Sequence, residues 1–186
     1  LLDLTGNVVD SCRSEAASVT DPTDAMDRVI SVVSPLMEKA AGGCLQGIGV
    51  GIAGLVDREN GVSIEFPHCE KWTNVPVGQM LSSRFDSPVL LENDVQAATF
   101  AEHCAGAARG VNSFLYLHVG HGIRLGMVLG GKVFHGMHGR AGELGHVVVE
   151  HGGPICYCGN YGCLESFASP RAIVLQAREA MSKEVE

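Results

Sequence analysis

The chain has 186 residues, is 46% hydrophobic with a mean hydropathy of +0.17, and carries a formal net charge of -8, enough to bury a core as one domain or two small lobes. No apolar run approaches the roughly 20 residues of a membrane helix, and the first residues lack the pattern of a secretory signal, which predicts a cytoplasmic protein with no membrane partner. The acidic balance and the lack of a Lys/Arg-rich stripe exclude a grip on nucleic acid by this segment, because phosphate neutralisation supplies most non-specific affinity.

Leu2-Asp3-Leu4 and Val8-Val9 flank Thr5-Gly6-Asn7, which predicts a hairpin and a chain that opens inside a sheet. Asp21-Pro22 predicts a helix start, with Asp21 as cap, Pro22 at the first position and Asp24 in the first turn. Met26, Val29, Ile30, Val33, Leu36 and Met37 mark the helix's apolar face, Pro35 predicts a kink, and Gly42 its end. From Gly47 to Ala53 glycine alternates with branched apolar residues, as in a strand of a parallel α/β sheet, and the run passes into a loop, Gly54 to Asp57. After the Asn60-Gly61 turn come a loop with Trp72, a helix from Pro76 to Phe85, a strand from Val89 to Leu91 and a helix from Val95 to about Cys104. A second strand set runs from Ser113 to Val119, breaks at Gly120-His121-Gly122, continues from Leu125 to Leu129, turns at Gly130-Gly131 and ends with Lys132 to Phe134. The last predicted helix spans Pro170 to Met181.

Between them, the run Gly142 to Glu165 places His146, Cys156, Cys158 and Cys163 in a short stretch rich in turn residues, with Glu143 and Glu165 interleaved. One imidazole and three thiols are the ligand set of a closed tetrahedral zinc site, and Gly159 and Gly162 let the backbone fold around a small ion. The competing role for these cysteines is disulfide pairing or inert burial. A Cys156–Cys158 disulfide would be strained, and seven cysteines leave no complete paired framework. Cys12, Cys44, Cys69 and Cys104 stand singly and read as small buried residues in a reducing compartment.

With Asn93-Asp94, Glu143, His146 and the C-Y-C-G-N-Y-G-C-L-E stretch together, the chain resembles the ROK family of bacterial sugar kinases and sugar-responsive transcriptional regulators. The likeness runs from the D-L-T-G-N-V hairpin through G-I-A-G-L-V-D, L-E-N-D-V-Q-A and G-E-L-G-H to the H-x9-C-x-C-x4-C cluster. It implies an α/β, two-lobed, actin-like (ribonuclease H-like, hexokinase-type) fold with sugar in the cleft near the zinc, the first lobe over residues 1–107 and the second over 108–186. It also implies that Asn93, Asp94, Glu143, His146 and Glu165 bind sugar hydroxyls, with Asp94 as the general base of a kinase. Read without the resemblance, Asn93 or Asp94 caps the helix from Val95, Glu143 and Glu165 are solvated charges, and His146 is a structural histidine. If His146 gives one ring nitrogen to zinc, the other is left to donate a hydrogen bond, so the metal and sugar roles are compatible.

The departures from the kinase pattern are equally specific. A kinase of this family needs an N-terminal strand and a D-x-G-G-T-like phosphate loop, and the chain begins just after that element. The second phosphate loop, G-T-G followed by small residues in the kinases, reads Gly120-His121-Gly122-Ile123-Arg124 here, where imidazole and guanidinium crowd a nucleotide phosphate although Arg124 can also bind one. Ala53 stands where the family usually has proline, and the D-V-Q-A and C-G-N-x-G-C-L-E wording is closer to the regulators. The first expectation is therefore a sugar-binding effector and oligomerisation domain of a ROK transcriptional regulator, a dimer or higher, with structural zinc and with DNA contacted through a segment absent from this chain. The alternative is an ATP- and Mg2+-dependent sugar kinase, glucokinase-like or N-acetylhexosamine kinase-like, represented by an incomplete chain. A third reading is a structural zinc module with a dead cleft.

Overall fold

The computed structural model describes residues 1–14, 20–40, 45–67, 69 and 71–183; Gly42 and Cys44 lie outside them, and with Gly42 the expected end of the first helix. Two compact units divide the chain, Leu1–Asp94 and Val95–Glu186. The division falls ahead of the helix from Val95, expected in the first lobe, because that helix packs by Thr99 against Gly126 of the second unit, where a Cβ would stand 1.7 Å from the threonine Oγ1.

In the first unit, α1 (Pro22–Ala40) starts as its sequence dictates. The Asp21 carboxylate accepts the Thr23 amide at 2.9 Å, and the Asp21 carbonyl accepts that of Ala25. The helix continues unbroken through Pro35, and of its predicted apolar face Met26 is buried while Val29 is exposed. Strand β1 (Ile48–Ile52) pairs in parallel with β5 (Val89–Asn93), in register from Ile48 opposite Val89 to Ile52 opposite Asn93. Parallel pairing requires a crossover, and the intervening chain supplies it: β2 (Leu55–Asp57), β3 (Val62–Glu65), β4 (Thr73–Val75) and α2 (Val77–Phe85). Residues 55–57, expected as loop, form the edge strand β2 of the antiparallel β2-β3-β4 sheet, because Val56 has a core to enter. That core gathers Met26, Val56, Trp72, Val77, Leu81 and Leu91, each such buried side chain worth about 1.5–3 kcal/mol. The Trp72 indole N–H donates to Ser63 Oγ at 2.9 Å, so the ring is buried without an orphaned donor.

The N-terminal hairpin forms, but among the described residues it joins no sheet: Leu2 and Val8 make an isolated antiparallel bridge, and Leu4 is 89% exposed. Its turn is organised by one side chain, as Asp3 Oδ1 accepts from the Thr5 amide, the Thr5 hydroxyl and the Asn7 amide at 2.9, 2.6 and 2.9 Å.

The second unit holds most of α3 (Asp94–Cys104), then the antiparallel meander β6 (Phe114–Val119), β7 (Ile123–Leu129) and β8 (Lys132–Val133), and finally α4 (Leu164–Ala168) and α5 (Pro170–Lys183). Gly130 and Gly131, at φ 57° and 78°, make the tight turn between β7 and β8. Among the single cysteines, Cys69 is buried as expected, whereas Cys12 and Cys104 are exposed. Among the described residues no helix is long and apolar enough to cross a membrane.

Candidate metal centre

After β7 and β8 the chain returns to β7, where the Leu125 amide donates to the Gly142 carbonyl at 2.8 Å. This fixes the start of the Glu143–His146 turn. Val148 bridges Cys163, Leu164 N donates to Val147 O at 2.9 Å, and Val149 N to Gly162 O at 2.8 Å, so the cysteine loop is stitched to the segment that directly follows His146. Within the loop, Cys156 N donates to Asn160 O at 2.7 Å and Gly162 N to Pro154 O at 2.9 Å. Gly162, at φ 74°, is a backbone requirement: a Cβ there would stand 1.6 Å from the Glu150 carbonyl oxygen.

These bonds bring His146, Cys156, Cys158 and Cys163 together, with one ligand atom from each inside a 4.8 Å spread. Cys156 and Cys163 are buried, and Cys158 lies toward solvent. The Cys158 and Cys163 sulfurs are 3.8 Å apart, and His146 Nδ1 is 3.6 Å from Cys156 Sγ. Disulfide sulfurs stand about 2 Å apart, so the pair is not one. Tetrahedral zinc, with bonds of about 2.3 Å to sulfur and about 2.0 Å to nitrogen, spaces its ligand atoms by about 3.8 Å and about 3.5 Å, so the donors fit such an ion. Burial, then the neighbouring thiols Cys158 and Cys156, push Cys163 up to about 12, whereas the Asn160 backbone amide holds Cys158 below the ordinary thiol range. Three thiolates share this space only if a cation offsets them.

The carboxylates that flank the cluster have definite partners. Glu165, in the first turn of α4 and only 6% exposed, accepts the Ile123 amide at 3.0 Å through Oε2. The approach is possible because residue 122 is glycine, whose Cβ would lie 2.5 Å from that oxygen. Glu143 pairs through Oε1 with the Arg124 guanidinium, and its Oε2 lies 3.9 Å from His146 Nε2. The solvated-charge reading of Glu165 is thereby overturned. His146 Nε2 lies 3.1 Å from the Tyr157 hydroxyl, with the two rings edge-on at 5.2 Å. Desolvation, then the charges of Glu165 and Cys156, push Tyr157 up to about 12, so its phenol is protonated at neutral pH.

Asn93 and Asp94 belong to the first unit, at the junction of β5 and α3. Asn93 is buried, and its side-chain amide donates to the Gly54 carbonyl and to Asp94 Oδ1, both at 3.1 Å; Asp94 itself is exposed. The neighbouring amide thus helps to orient a solvent-facing carboxylate. Three contacts had no counterpart in the sequence reading: Arg124 to Glu143, Ile123 to Glu165 and Tyr157 to His146. Only the last had a signal, since Tyr157 sits between two ligands in C-Y-C.

The ROK family model matches residues 1–185. The xylose repressor of Caldicellulosiruptor bescii is 36% identical over 140 residues, covering 75% of this chain and 35% of that protein. The glucokinase of Thermotoga maritima is 40% identical over 157 residues, covering 84% and 50%. Among solved structures, a ROK family transcriptional regulator homologous to the Escherichia coli MLC protein superposes with TM-score 0.79 at 32% identity, over 87% of this chain and 41% of that one. The chain therefore spans about a third to a half of the length of its curated relatives.

Proposed function

The chain belongs to the ROK family and has its actin-like fold, and from that premise we propose that it is the sugar-binding effector and oligomerisation part of a transcriptional regulator, built around a structural zinc. His146, Cys156, Cys158 and Cys163 would hold the ion, which when bound neutralises the thiolates and closes the loop. Asn93, Asp94, Glu143, His146 and Glu165 would bind the hydroxyls of a neutral or N-acetylated hexose or a related sugar, since carboxylates accept charge-assisted hydrogen bonds and a site built for hydroxyls discriminates against analogues that lack them. DNA would be contacted by a helix-turn-helix outside these 186 residues, in a cytoplasmic dimer or larger assembly.

The observation that carries the regulator over the kinase is Arg124. It follows the Gly120-His121-Gly122 turn, where a kinase needs small residues around phosphate, and its guanidinium is committed to Glu143. The second reading, an ATP- and Mg2+-dependent sugar kinase, is favoured by the glucokinase relative and by the exposed Asp94. There Asp94 would take the proton of the attacking hydroxyl while its oxygen displaces ADP from the terminal phosphorus, which requires a phosphoryl donor held in line. A coupled ADP-release assay on the full-length protein with Mg2+, ATP and a monosaccharide panel decides between them. We expect no sugar-dependent turnover, and weaker sugar binding in Asp94→Asn; sugar-dependent ADP release abolished by that substitution would make the protein a kinase.

A further inference from the structure

His146 has two ring nitrogens, and both are directed at named groups. Nδ1 points into the thiol cluster, 3.6 Å from Cys156 Sγ. With its lone pair engaged by a metal there, the neutral imidazole carries its one proton on Nε2. That nitrogen lies 3.1 Å from the Tyr157 hydroxyl oxygen, which in this tautomer accepts from it. Glu143 does not take the proton: its Oε2 is 3.9 Å away, and Oε1 is held by Arg124. The ring of Tyr157 stands edge-on to the imidazole, and the residue is 68% exposed, so its phenol has room to swing into water while the backbone of residue 157 stays fixed between Cys156 and Cys158.

One N–H makes one good hydrogen bond. We propose that Tyr157 is a specificity-determining residue that occupies the ligand-facing N–H of His146 as an internal stand-in for a sugar hydroxyl, so that sugar binds only by displacing the phenol. The proposal rests on the sugar-binding role given to His146 under Proposed function. Its consequence is a threshold. A ligand that offers one well-placed hydroxyl to Nε2 replaces the phenol bond at no net gain, and only a sugar that engages the neighbouring carboxylates as well binds measurably.

The test compares the full-length protein and its Tyr157→Phe variant by calorimetric titration with D-glucose, D-xylose and N-acetyl-D-glucosamine, with metal content measured on both. Phenylalanine keeps the ring packing and removes only the competing oxygen. The expected result is unchanged metal content and a monosaccharide affinity about two- to tenfold higher, the range of one net hydrogen bond. In the unsubstituted protein labelled at tyrosine, the Tyr157 ring resonances should also move to solvent-like positions on saturation with sugar. Sugar affinity unchanged or lowered by Tyr157→Phe would overturn the competition while leaving the sugar site standing, and loss of metal from the variant would make Tyr157 a support of the zinc loop instead. Absence of binding by both proteins to all three sugars would overturn the sugar-binding reading itself.

Discussion

Glu165 keeps its carboxylate at 6% exposure with the Ile123 amide on Oε2, and Glu143 holds Arg124 through one oxygen. Each has a further oxygen to offer a ligand hydroxyl, and a hydrogen bond to a charged group is worth about 1.5–3 kcal/mol. Glu165→Gln and Glu143→Gln should therefore each weaken binding of the best monosaccharide by about tenfold or more in calorimetric titration; unchanged affinity in both would remove these residues from the sugar site. A second residue-scale expectation concerns acid. The Thr5 hydroxyl, then the Asn7 backbone amide and side chain, hold Asp3 at about 2 against an ordinary 3.8. Because the folded value is the lower one, the turn's contribution is fully present above the ordinary carboxyl range and is lost as pH falls through about 2. NMR titration should find the Thr5 and Asn7 amide resonances moving with a midpoint near 2, and a midpoint near 3.8 would mean that the turn does not persist.

At the scale of elements, the cysteine loop has little apolar burial to hold it, and the proposed zinc would supply what burial does not. Ile155, Tyr157 and Tyr161 are 68%, 68% and 58% exposed, so the segment is held mainly by its backbone hydrogen bonds. Elemental analysis of purified protein should give one zinc per chain, and chelation should raise amide exchange across residues 147–168, because binding free energy at such sites is also folding free energy. Cys158→Ser should do the same without chelator. A fully folded, metal-free chain would refute the site. The elements themselves were readable where the signal is local: the Asp21 cap, the Asn60-Gly61 turn and the glycine-alternating β1 all form. The misjudged pieces are those whose state depends on a distant partner. Residues 55–57 become a strand because β3 lies beside them, and Leu2 to Val9 make only a bridge because no further strand of the described residues pairs with them.

For the whole molecule, a ligand that binds only the folded state at 100 times its dissociation constant adds about 2.7 kcal/mol of stability. Thermal unfolding of the full-length protein should shift upward with saturating cognate sugar, and a curve unmoved by any sugar that calorimetry shows to bind would require equal affinity for the unfolded chain. On β6, Leu115, Leu117 and Val119 are 65%, 57% and 54% exposed, so one face of that sheet is left uncovered by the described residues. By itself the sequence determined the α/β character, the family and the His/Cys cluster, since its four members fall between positions 146 and 163 and their spacing alone limits what they can form. Only the tertiary structure decided that Arg124 holds Glu143, that Ile123 holds Glu165 and that α3 joins the second unit. Those contacts span 19 and 42 positions, or cross from helix to strand. Periodicity tells which face of an element is apolar, but not which backbone amide or side chain from another element will arrive beside it.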